Sequence, residues 1–406
     1  MNRRDFLKTG AALSSAAMLP AAVLAESAKL ENVKKFPQPI KYRMAGDVKE
    51  FEIFIDITEV EFASAMKLHM LAFNNQVPGP EIRVNQGDNV RVVFKNKTEL
   101  NHTIHWHGLH VPWRMDGVPY VTQMPVMPNQ EFVYEFTAEP YGTHFYHCHW
   151  GTLLHMQAGM FGSIIIENPD DPIKKSFPYE REYTLIYSAH DVDFMRMELN
   201  DMLDRMKERM YLMRNGRFDK ERFALFDSKD EFRKAVKAGY QPPYVVNRRA
   251  PSELPQPNWF TVNGKSYPST PTLYIKEGET IRVRLINAGT EEHYLHLHGH
   301  DFWLVCDDGL PVPQPWQMNT ARLSPGKTLD IIIEGKNRGL WTFHDHDTRR
   351  VTNNGLYPGG NLMLLVYEDL PMEERMVGMM PMKGMKMSMK GGKEKMNMLP
   401  KVALDE

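Results

Sequence analysis

Short runs in which apolar and polar residues alternate fill two long stretches of the chain. The first stretch extends from about residue 48 to 168 and contains Phe51–Ile57, Val90–Phe94 and Phe132–Phe136. Turn-forming clusters such as Asn85–Asn89 separate these runs. Because alternation with a period of two is the pattern of half-buried strands, this stretch predicts an all-β sandwich or barrel.

The second stretch, from about residue 258 to 368, repeats motifs of the first in the same order. A glycine-containing polar turn followed by a strand occurs at Asn85–Phe94 and again at Lys276–Leu285. Two histidine motifs also recur, His102–Gly108 at His293–Gly299 and Gly142–His149 at Gly339–His346. Three echoes in one order predict that the chain contains two copies of one all-β domain.

Between the two stretches, residues 190 to 240 follow a helical pattern instead. Methionine and leucine recur at spacings of three and four, which predicts a helix with one apolar stripe. The stripe contains Met195, Leu199, Met202, Met206, Met210 and Met213. One interpretation is a helix docked on a sandwich, with methionine as an adaptable filler. The other is a surface for Cu(I), because thioether sulfur selects that soft ion.

The N-terminal residues 1–25 have the order of features found in a removable export signal. Arg3, Arg4 and Lys8 precede a short apolar run that ends near Val23–Ala25. The paired arginines indicate the twin-arginine export route. We therefore expect a protein exported to the periplasm, and we find no other stretch that is apolar enough to cross a bilayer.

The C-terminal residues 371–406 form a low-complexity segment rich in methionine. The run Met379–Met389 contains six methionines in eleven residues, and Met396 and Met398 follow it. Gly, Lys and Pro in this segment oppose a packed core, so we predict that it is disordered. A solvated basic tail is one interpretation. Copper capture by the thioethers is the favoured one, because it also explains the density of methionine.

Composition sets the scale of the fold and excludes some functions. The chain has 406 residues, of which 42% are apolar, enough for two or three domains with cores of their own. A net charge of −2 gives no electrostatic basis for nucleic-acid binding. The predicted division is a signal at 1–25, a lead-in at 26–47, a first domain at 48–168, a linker with the helical insertion at 169–257, a second domain at 258–370 and the tail at 371–406.

The chain has two cysteines, and the surroundings of Cys148 point to a metal. A histidine flanks this residue on each side, and His155 and Met160 follow it. One thiolate, two imidazoles and a weak axial thioether are the ligands of a blue-copper electron-transfer site, so a further histidine should come from an earlier strand. A disulfide would consume this thiol. Cys306 is therefore interpreted as a buried strand thiol without a chemical role.

The histidines beside Cys148 predict a second metal site. On an extended strand successive side chains point to opposite faces, so His147 and His149 face away from Cys148. An H-x-H pair on a strand places two imidazoles on one face about 7 Å apart, which suits ligands of neighbouring metals. The chain has four such pairs, His105/His107, His147/His149, His296/His298 and His344/His346. Eight imidazoles suffice for a cluster of three copper ions.

These motifs, H-x-x-H-W-H-G, H-C-H-x5-H-x4-M, H-x-x-H-L-H-G-H and H-D-H, resemble those of the multicopper oxidase family, in particular its two-domain, laccase-like members. The resemblance covers residues 48 to 368 and implies two cupredoxin-like Greek-key domains. It also implies about four copper ions per chain, one type 1, one type 2 and two type 3. The implied ligands are His102, Cys148, His155 and Met160 for type 1, His105 and His296 for type 2, and His107, His147, His149, His298, His344 and His346 for type 3.

Two further residues matter to the resemblance. Asp116 resembles the family acid that helps to protonate oxygen, although an ordinary turn aspartate before glycine is the alternative interpretation. In the second copy Asp345 replaces the type 1 cysteine and Arg349–Arg350 follow instead of a histidine. His293 is then a remnant ligand, and the type 1 site lies in the first domain only. The leftover histidines, assigned to supporting or surface roles, are His69, His110, His144, His190 and His300.

The resemblance implies an oxidase assembled as a homotrimer, in which the first domain of one subunit meets the second domain of the next. Electrons from a reductant would enter at Cys148 and pass through His147 or His149 to the cluster, where O2 is reduced to water with help from Asp116. Cuprous ion or phenols are the expected reductants, in a role in copper tolerance. Two alternatives stay open, a copper-containing nitrite reductase and a non-catalytic periplasmic copper-binding protein.

Overall fold

The computed structural model describes residues 32–63, 66–195, 229–238 and 255–371. Within these residues twenty β-strands form four sheets, two in each of two domains. Apolar side chains fill the space between the two sheets of each domain, because alternate residues of each strand point inward. The all-β architecture predicted from the alternating pattern is thus confirmed.

Both sheets of the first domain mix parallel and antiparallel neighbours. One sheet has the order β1 (Arg43–Ala45), β2 (Val48–Ala63), β5 (Asn89–Asn96) and β7 (Glu131–Thr137), with β3 (Met66–Phe73) paired to β2. The other has the order β4 (Gly79–Asn85), β9 (Phe161–Glu167), β8 (Gly142–Cys148) and β6 (Ile104–His107). Since β2 is parallel to β5 and β4 to β9, the chain crosses between the sheets and does not fold as a simple meander.

The second domain repeats this order. One sheet contains β11 (Trp259–Val262), β10 (Arg181–His190), β13 (Thr280–Asn287), β18 (Thr328–Glu334), β15 (Phe302–Asp307) and β16 (Leu310–Met318). The other contains β12 (Thr272–Ile275), β20 (Leu362–Tyr367), β19 (Leu340–Asp345), β14 (His293–Leu297) and β17 (Thr320–Leu323). The order β4–β9–β8–β6 returns as β12–β20–β19–β14, as expected of a duplicated domain.

One strand of the second domain lies where the sequence predicts a linker. β10 falls within residues 169–257, yet it pairs in parallel with β13 and antiparallel with β11. It is the counterpart of β2, the first long strand of the other domain. The prediction missed it because a long insertion separates β10 from β11, so that no repeated motif stands close enough to mark it.

Helices are few and short in the described residues. They include α1 (Thr152–Gln157), α2 (Pro172–Ser176) and α3 (Lys229–Lys237), with 3-10 turns at Trp113–Met115 and Thr348–Val351. Residues 32–33 and 192–195 are also helical. Of the predicted methionine stripe only Met195 is described, and it is buried. The rest of the stripe, and residues 372–406 of the tail, lie outside the described residues. None of the helices described here combines the length and apolar content needed to cross a bilayer.

A buried polar network joins the two domains. Asp330 on β18 is fully buried and accepts a hydrogen bond of 2.7 Å from the hydroxyl of Thr143 on β8. The same carboxylate accepts from Arg282 Nε at 3.0 Å and from Arg284 at 3.2 Å. Because one carboxylate serves partners from both domains, the network opposes sliding of one domain over the other.

The backbones of the two domains also touch directly. Gly142 begins β8 with a φ of 129°, and a Cβ atom at this position would lie 2.0 Å from the carbonyl oxygen of Gly309. A side chain cannot be accommodated there without separating the domains. Glycine is therefore required where β8 passes the β15–β16 turn.

We expect Asp330→Asn to destabilise the protein, because it leaves two buried guanidinium groups without their shared carboxylate. Breaking a buried ion network in this way costs about 3–5 kcal/mol, which calorimetry would record as a lower unfolding temperature. Asp170→Asn is the matched control, since the Asp170 side chain is 87% exposed and forms a surface ion pair with Lys175. Equal effects of the two substitutions would contradict this account of the domain contact.

Candidate metal centre

Three potential metal ligands converge on the end of β8. The Sγ atom of Cys148 lies 3.7 Å from His102 Nδ1 and 3.3 Å from His155 Nδ1. All three side chains are buried, and their ligand atoms lie within 4.8 Å of one another. We call this group the thiol cluster. His102 comes from the segment before β6, as the need for a ligand from an earlier part of the chain predicts.

The chain folds back on itself to complete this cluster. After Cys148 it turns at Gly151, which has a φ of 55°, into the short helix α1 that carries His155. The backbone then returns to β8, where Cys148 N–H donates to the carbonyl of Met160 at 3.1 Å. Met160 N–H donates to the carbonyl of His155 at 2.9 Å. Met160 is buried beside the cluster. Three of the four predicted residues therefore lie within residues 148–160, and the fourth, His102, lies just before β6.

Hydrogen bonds and burial keep the two imidazoles of the thiol cluster neutral. The Thr98 hydroxyl donates to Asn96, so at 2.8 Å it accepts from His102 Nε2–H and leaves the Nδ1 lone pair facing Cys148. Burial lowers the pKa of His155 to about 3 and that of His102 well below its usual value. Burial also raises the pKa of the Cys148 thiol to about 12, so a thiolate there requires a cation beside it. Soft sulfur with two neutral nitrogens is a donor set that fits copper.

A first set of four histidines lies on β6, on β8 and directly after the end of β8, next to the thiol cluster. His105 stands directly opposite His147 in the antiparallel pair, with ring centres 5.2 Å apart. The ring of His149 is 5.5 Å from that of His105, and the ring of His107 is 5.8 Å from that of His147. The ligand atoms of His105, His107 and His147 lie within 4.8 Å of one another. We call these four residues the first histidine set.

A second histidine set has a similar arrangement on β14 and β19 and directly after the end of each of these strands. His296 stands opposite His344, and their ring centres are 5.8 Å apart. The Nε2 atoms of His298 and His344 are 3.0 Å apart, and the ring of His346 lies 5.5 Å from that of His296. His298 and His346 are exposed, and a pocket of about 430 Å³ opens beside His346. In the part of the chain that the structure describes, no ring of one set contacts a ring of the other.

Backbone carbonyls orient rings of both sets. In each case Nδ1–H donates to a carbonyl oxygen, which leaves the Nε2 lone pair for a metal. These hydrogen bonds join His105 to Asp116 at 2.8 Å, His147 to Cys148 at 3.0 Å, His296 to Asn319 at 2.8 Å and His344 to Asp345 at 2.9 Å. Burial lowers the pKa of His147 to about 3 and that of His107 to about 4, so these imidazoles are neutral and could bind a metal.

Asp116 lies at the solvent side of the first histidine set. Its side chain is 34% exposed, and its Oδ1 atom is 3.2 Å from His105 Nδ1. The next residue fixes this position, because Gly117 has a φ of 79° and a Cβ there would lie 1.8 Å from the carbonyl oxygen of Ile104. Asp116 therefore stands in a turn, as one interpretation predicts, and also beside a candidate ligand, as the other predicts.

Comparisons with known proteins give the family of this chain. Two family models, both described as multicopper oxidase, match residues 55–171 and 240–357. Copper resistance protein A of Escherichia coli is 27% identical over 301 residues, which are 72% of this chain and 47% of that protein. Laccase-15 of Oryza sativa subsp. japonica is 30% identical over 267 residues, which are 64% of this chain and 37% of that protein. The chain thus spans less than half the length of these curated relatives.

The crystal structure of a blue copper oxidase from Nitrosomonas europaea is 32% identical, with a TM-score of 0.63, and the match covers 79% of this chain and 88% of that one. The chain belongs to the multicopper oxidase family. The family resemblance, the cupredoxin-like fold and copper as the cofactor are thereby confirmed. A model of the twin-arginine signal sequence matches residues 1–20, which confirms the predicted export to the periplasm.

The second domain of this multicopper oxidase has a polar network where the first has the thiol cluster. Asp345 N–H donates to the carbonyl of Asn361 at 3.2 Å, and Asn361 N–H donates to the carbonyl of Arg350 at 2.7 Å. The same two backbone hydrogen bonds link the thiol-cluster residues of the first domain. Asp345, Arg350 and Asn361 thus occupy the positions of Cys148, His155 and Met160. His293 Nδ1 is 2.7 Å from Asp345 Oδ2, and both side chains are fully buried. Hard oxygen and a cationic side chain replace the soft sulfur that suits copper.

The other histidines of this multicopper oxidase stand outside the three groups. His69 and His110 are exposed. His144 contacts the carbonyl of Pro140, His300 the hydroxyl of Tyr367 and His190 the hydroxyl of Thr261. Sequence reasoning missed Thr98, although its place four residues before His102 on a turn was a usable signal. It also missed Asn361, which no local pattern marks. Both cysteines are free and buried, and Cys306 lies on β15 as predicted.

Proposed function

We propose that this multicopper oxidase couples the one-electron oxidation of a reductant to the reduction of O2 to water. The observation that carries the proposal is the position of Cys148, which supplies the thiol of one cluster while its neighbours His147 and His149 belong to the first histidine set. Copper, when bound, supplies one-electron redox chemistry at the thiol cluster and binds and reduces O2 at the histidine sets.

The proposed ligands follow from these groups. His102, Cys148, His155 and Met160 would hold the type 1 copper, His105 and His296 the type 2 copper, and His107, His147, His149, His298, His344 and His346 the type 3 pair. The neutral, carbonyl-oriented rings of both sets support this assignment, because each offers a lone pair on Nε2.

Residues of β8 would conduct electrons between the two sites. From the Cys148 sulfur, a covalent path runs along the side chain to the backbone and through one peptide bond to the imidazole of His147 or of His149. A hydrogen bond of 3.0 Å from His147 Nδ1–H to the Cys148 carbonyl adds a second connection to the same ring. Both residues are buried, so water does not compete for these groups. Asp116, half-exposed beside His105, is placed to carry protons from solvent toward the first histidine set.

Cys148→Ser should abolish the blue colour and reductant-driven O2 consumption, because serine cannot supply the thiolate. Copper content should fall from about four to about three ions per chain, since the histidine sets stay intact. Absorption spectroscopy, metal analysis and an oxygen electrode measure these outcomes. Cys306→Ser is the matched control, because it removes the other buried thiol and should keep both colour and turnover. Full turnover in the Cys148 variant would refute the proposed electron path.

Two alternatives make different predictions for the same sample. A copper nitrite reductase needs only a few histidines at one catalytic copper, and it would contain about two copper ions per chain. Eight histidines in two matched sets favour the oxidase. A non-catalytic copper-binding protein would bind the metal but consume no O2 with a reductant. Copper content and oxygen consumption together distinguish the three functions.

We also propose that the active oxidase is a homotrimer, in which the first histidine set of one subunit faces the second set of the next. Three observations support this. The sets within one chain make no ring contact in the described residues, the second set is partly open to solvent, and closed cyclic symmetry repeats one such contact without exposed ends.

Mixing two inactive variants tests the shared site. His105→Gln damages the first set and His296→Gln the second, so each variant alone should lack O2 reduction. If the sets meet between subunits, every mixed trimer has one intact pair, and random equal mixing should recover about a quarter of the wild-type sites. Sites confined to single chains predict no recovery on co-expression. Light scattering of the purified wild type gives the subunit number independently.

We propose cuprous ion as a reductant, with phenols as further substrates, and hence a role in copper tolerance. The methionine-rich segments of the sequence and the similarity to copper resistance protein A support this choice. Deleting residues 371–406 should reduce Cu(I) oxidation and spare phenol oxidation, as oxygen uptake with each reductant would show. Restoring the tail with leucine for each methionine is the control for its length and charge. Equal loss of both activities, or no loss, would count against the proposal.

A further inference from the structure

His190, on β10 of the second domain, contacts the helix that carries His155. The end of a helix leaves carbonyl groups without partners inside the helix. At the end of α1 the carbonyl of Gln157 accepts a hydrogen bond of 2.6 Å from His190 Nδ1. The next residue, Asp191, binds the side chain of Gln157, because its backbone N–H donates to Gln157 Oε1 at 2.9 Å. Two consecutive residues of one domain therefore bind both the backbone and the side chain of Gln157 in the other.

The hydrogen bonds of His190 leave it one possible tautomer. A carbonyl can only accept, so Nδ1 carries the proton, and Nε2 accepts from the hydroxyl of Thr261 at 2.9 Å. The ring is fully buried, and Phe62 packs edge-on against it with ring centres 4.7 Å apart. A neutral ring in one tautomer, held on three sides, is a rigid support for α1.

Helix α1 depends on such a support. It has only six residues, from Thr152 to Gln157, and is far too short to be stable alone. Glycines with positive φ stand at both of its ends, Gly151 at 55° and Gly159 at 109°. The distance between His155 and the Cys148 sulfur thus depends on what holds the helix from outside.

We infer that His190 is a positioning residue for the thiol cluster: through Gln157 it fixes α1 and thereby the place of His155 relative to Cys148. The inference rests on the proposed function, in which this cluster holds the type 1 copper. It makes the second domain a structural determinant of an electron-entry site whose ligands all belong to the first.

The test compares two substitutions at one position. His190→Phe keeps the ring but leaves the Gln157 carbonyl without a donor, whereas His190→Asn can still place an N–H near the position of Nδ1. We expect His190→Phe to shift the type 1 absorption band and reduction potential and to weaken copper retention in that site about tenfold in chelator competition. His190→Asn should restore much of each property.

Leu185→Ala is the control for general destabilisation, because Leu185 is a fully buried residue of β10 with its side chain in the core of the second domain. It should lower the unfolding temperature and leave the band and the potential unchanged. Unchanged band, potential and retention in His190→Phe would overturn the inference, as would equal shifts in Leu185→Ala. If His190→Phe does not fold, Thr261→Val, which leaves His190 Nε2 without its hydrogen-bond partner, must give a smaller shift in the same direction. A wild type without any type 1 band would instead refute the proposed function.

Discussion

The structure depends on the alternation of side chains along one strand. On β8 the side chain of Cys148 enters a dry core, whereas the flanking imidazoles of His147 and His149 lie with the rings of β6. A helix could not separate neighbouring residues in this way, since its successive side chains diverge by only about 100°. A strand thus lets two chemically different sites share one short stretch of backbone without sharing a ligand.

The second domain shows that the histidine sets do not require the thiol. His296 and His344 keep the register of His105 and His147, although Asp345 stands in place of the cysteine. The Asp345 carboxylate is paired with His293 Nδ1 at 2.7 Å, whereas the buried His293 Nε2 has no partner in the described residues. The two domains thus share the paired histidine positions on the sheet and differ at the positions of the thiol cluster.

Contacts between residues close in the sequence could be predicted, whereas contacts between residues far apart in the sequence could not. Cys148, His155 and Met160 are close in the chain, so their convergence could be read from spacing, and the repeated motifs located their counterparts. β10 was missed because an insertion separates it from its neighbours in the sheet. The contact between His190 and Gln157 joins residues of different domains, and no periodicity along the chain reports it. The methionine stripe beyond Met195 and the tail remain predictions.

The close approach of Gly142 to Gly309 has a consequence for architecture on a larger scale. In a ring of identical subunits, the angle between the two adhesive faces of each subunit decides how many members close the circle. In the homotrimer that we propose, each face would belong to a different domain, so the angle would be set inside the chain, where the domains contact each other. A single methyl group at residue 142 would push the two domains apart and change that angle, so the proposed ring could no longer close.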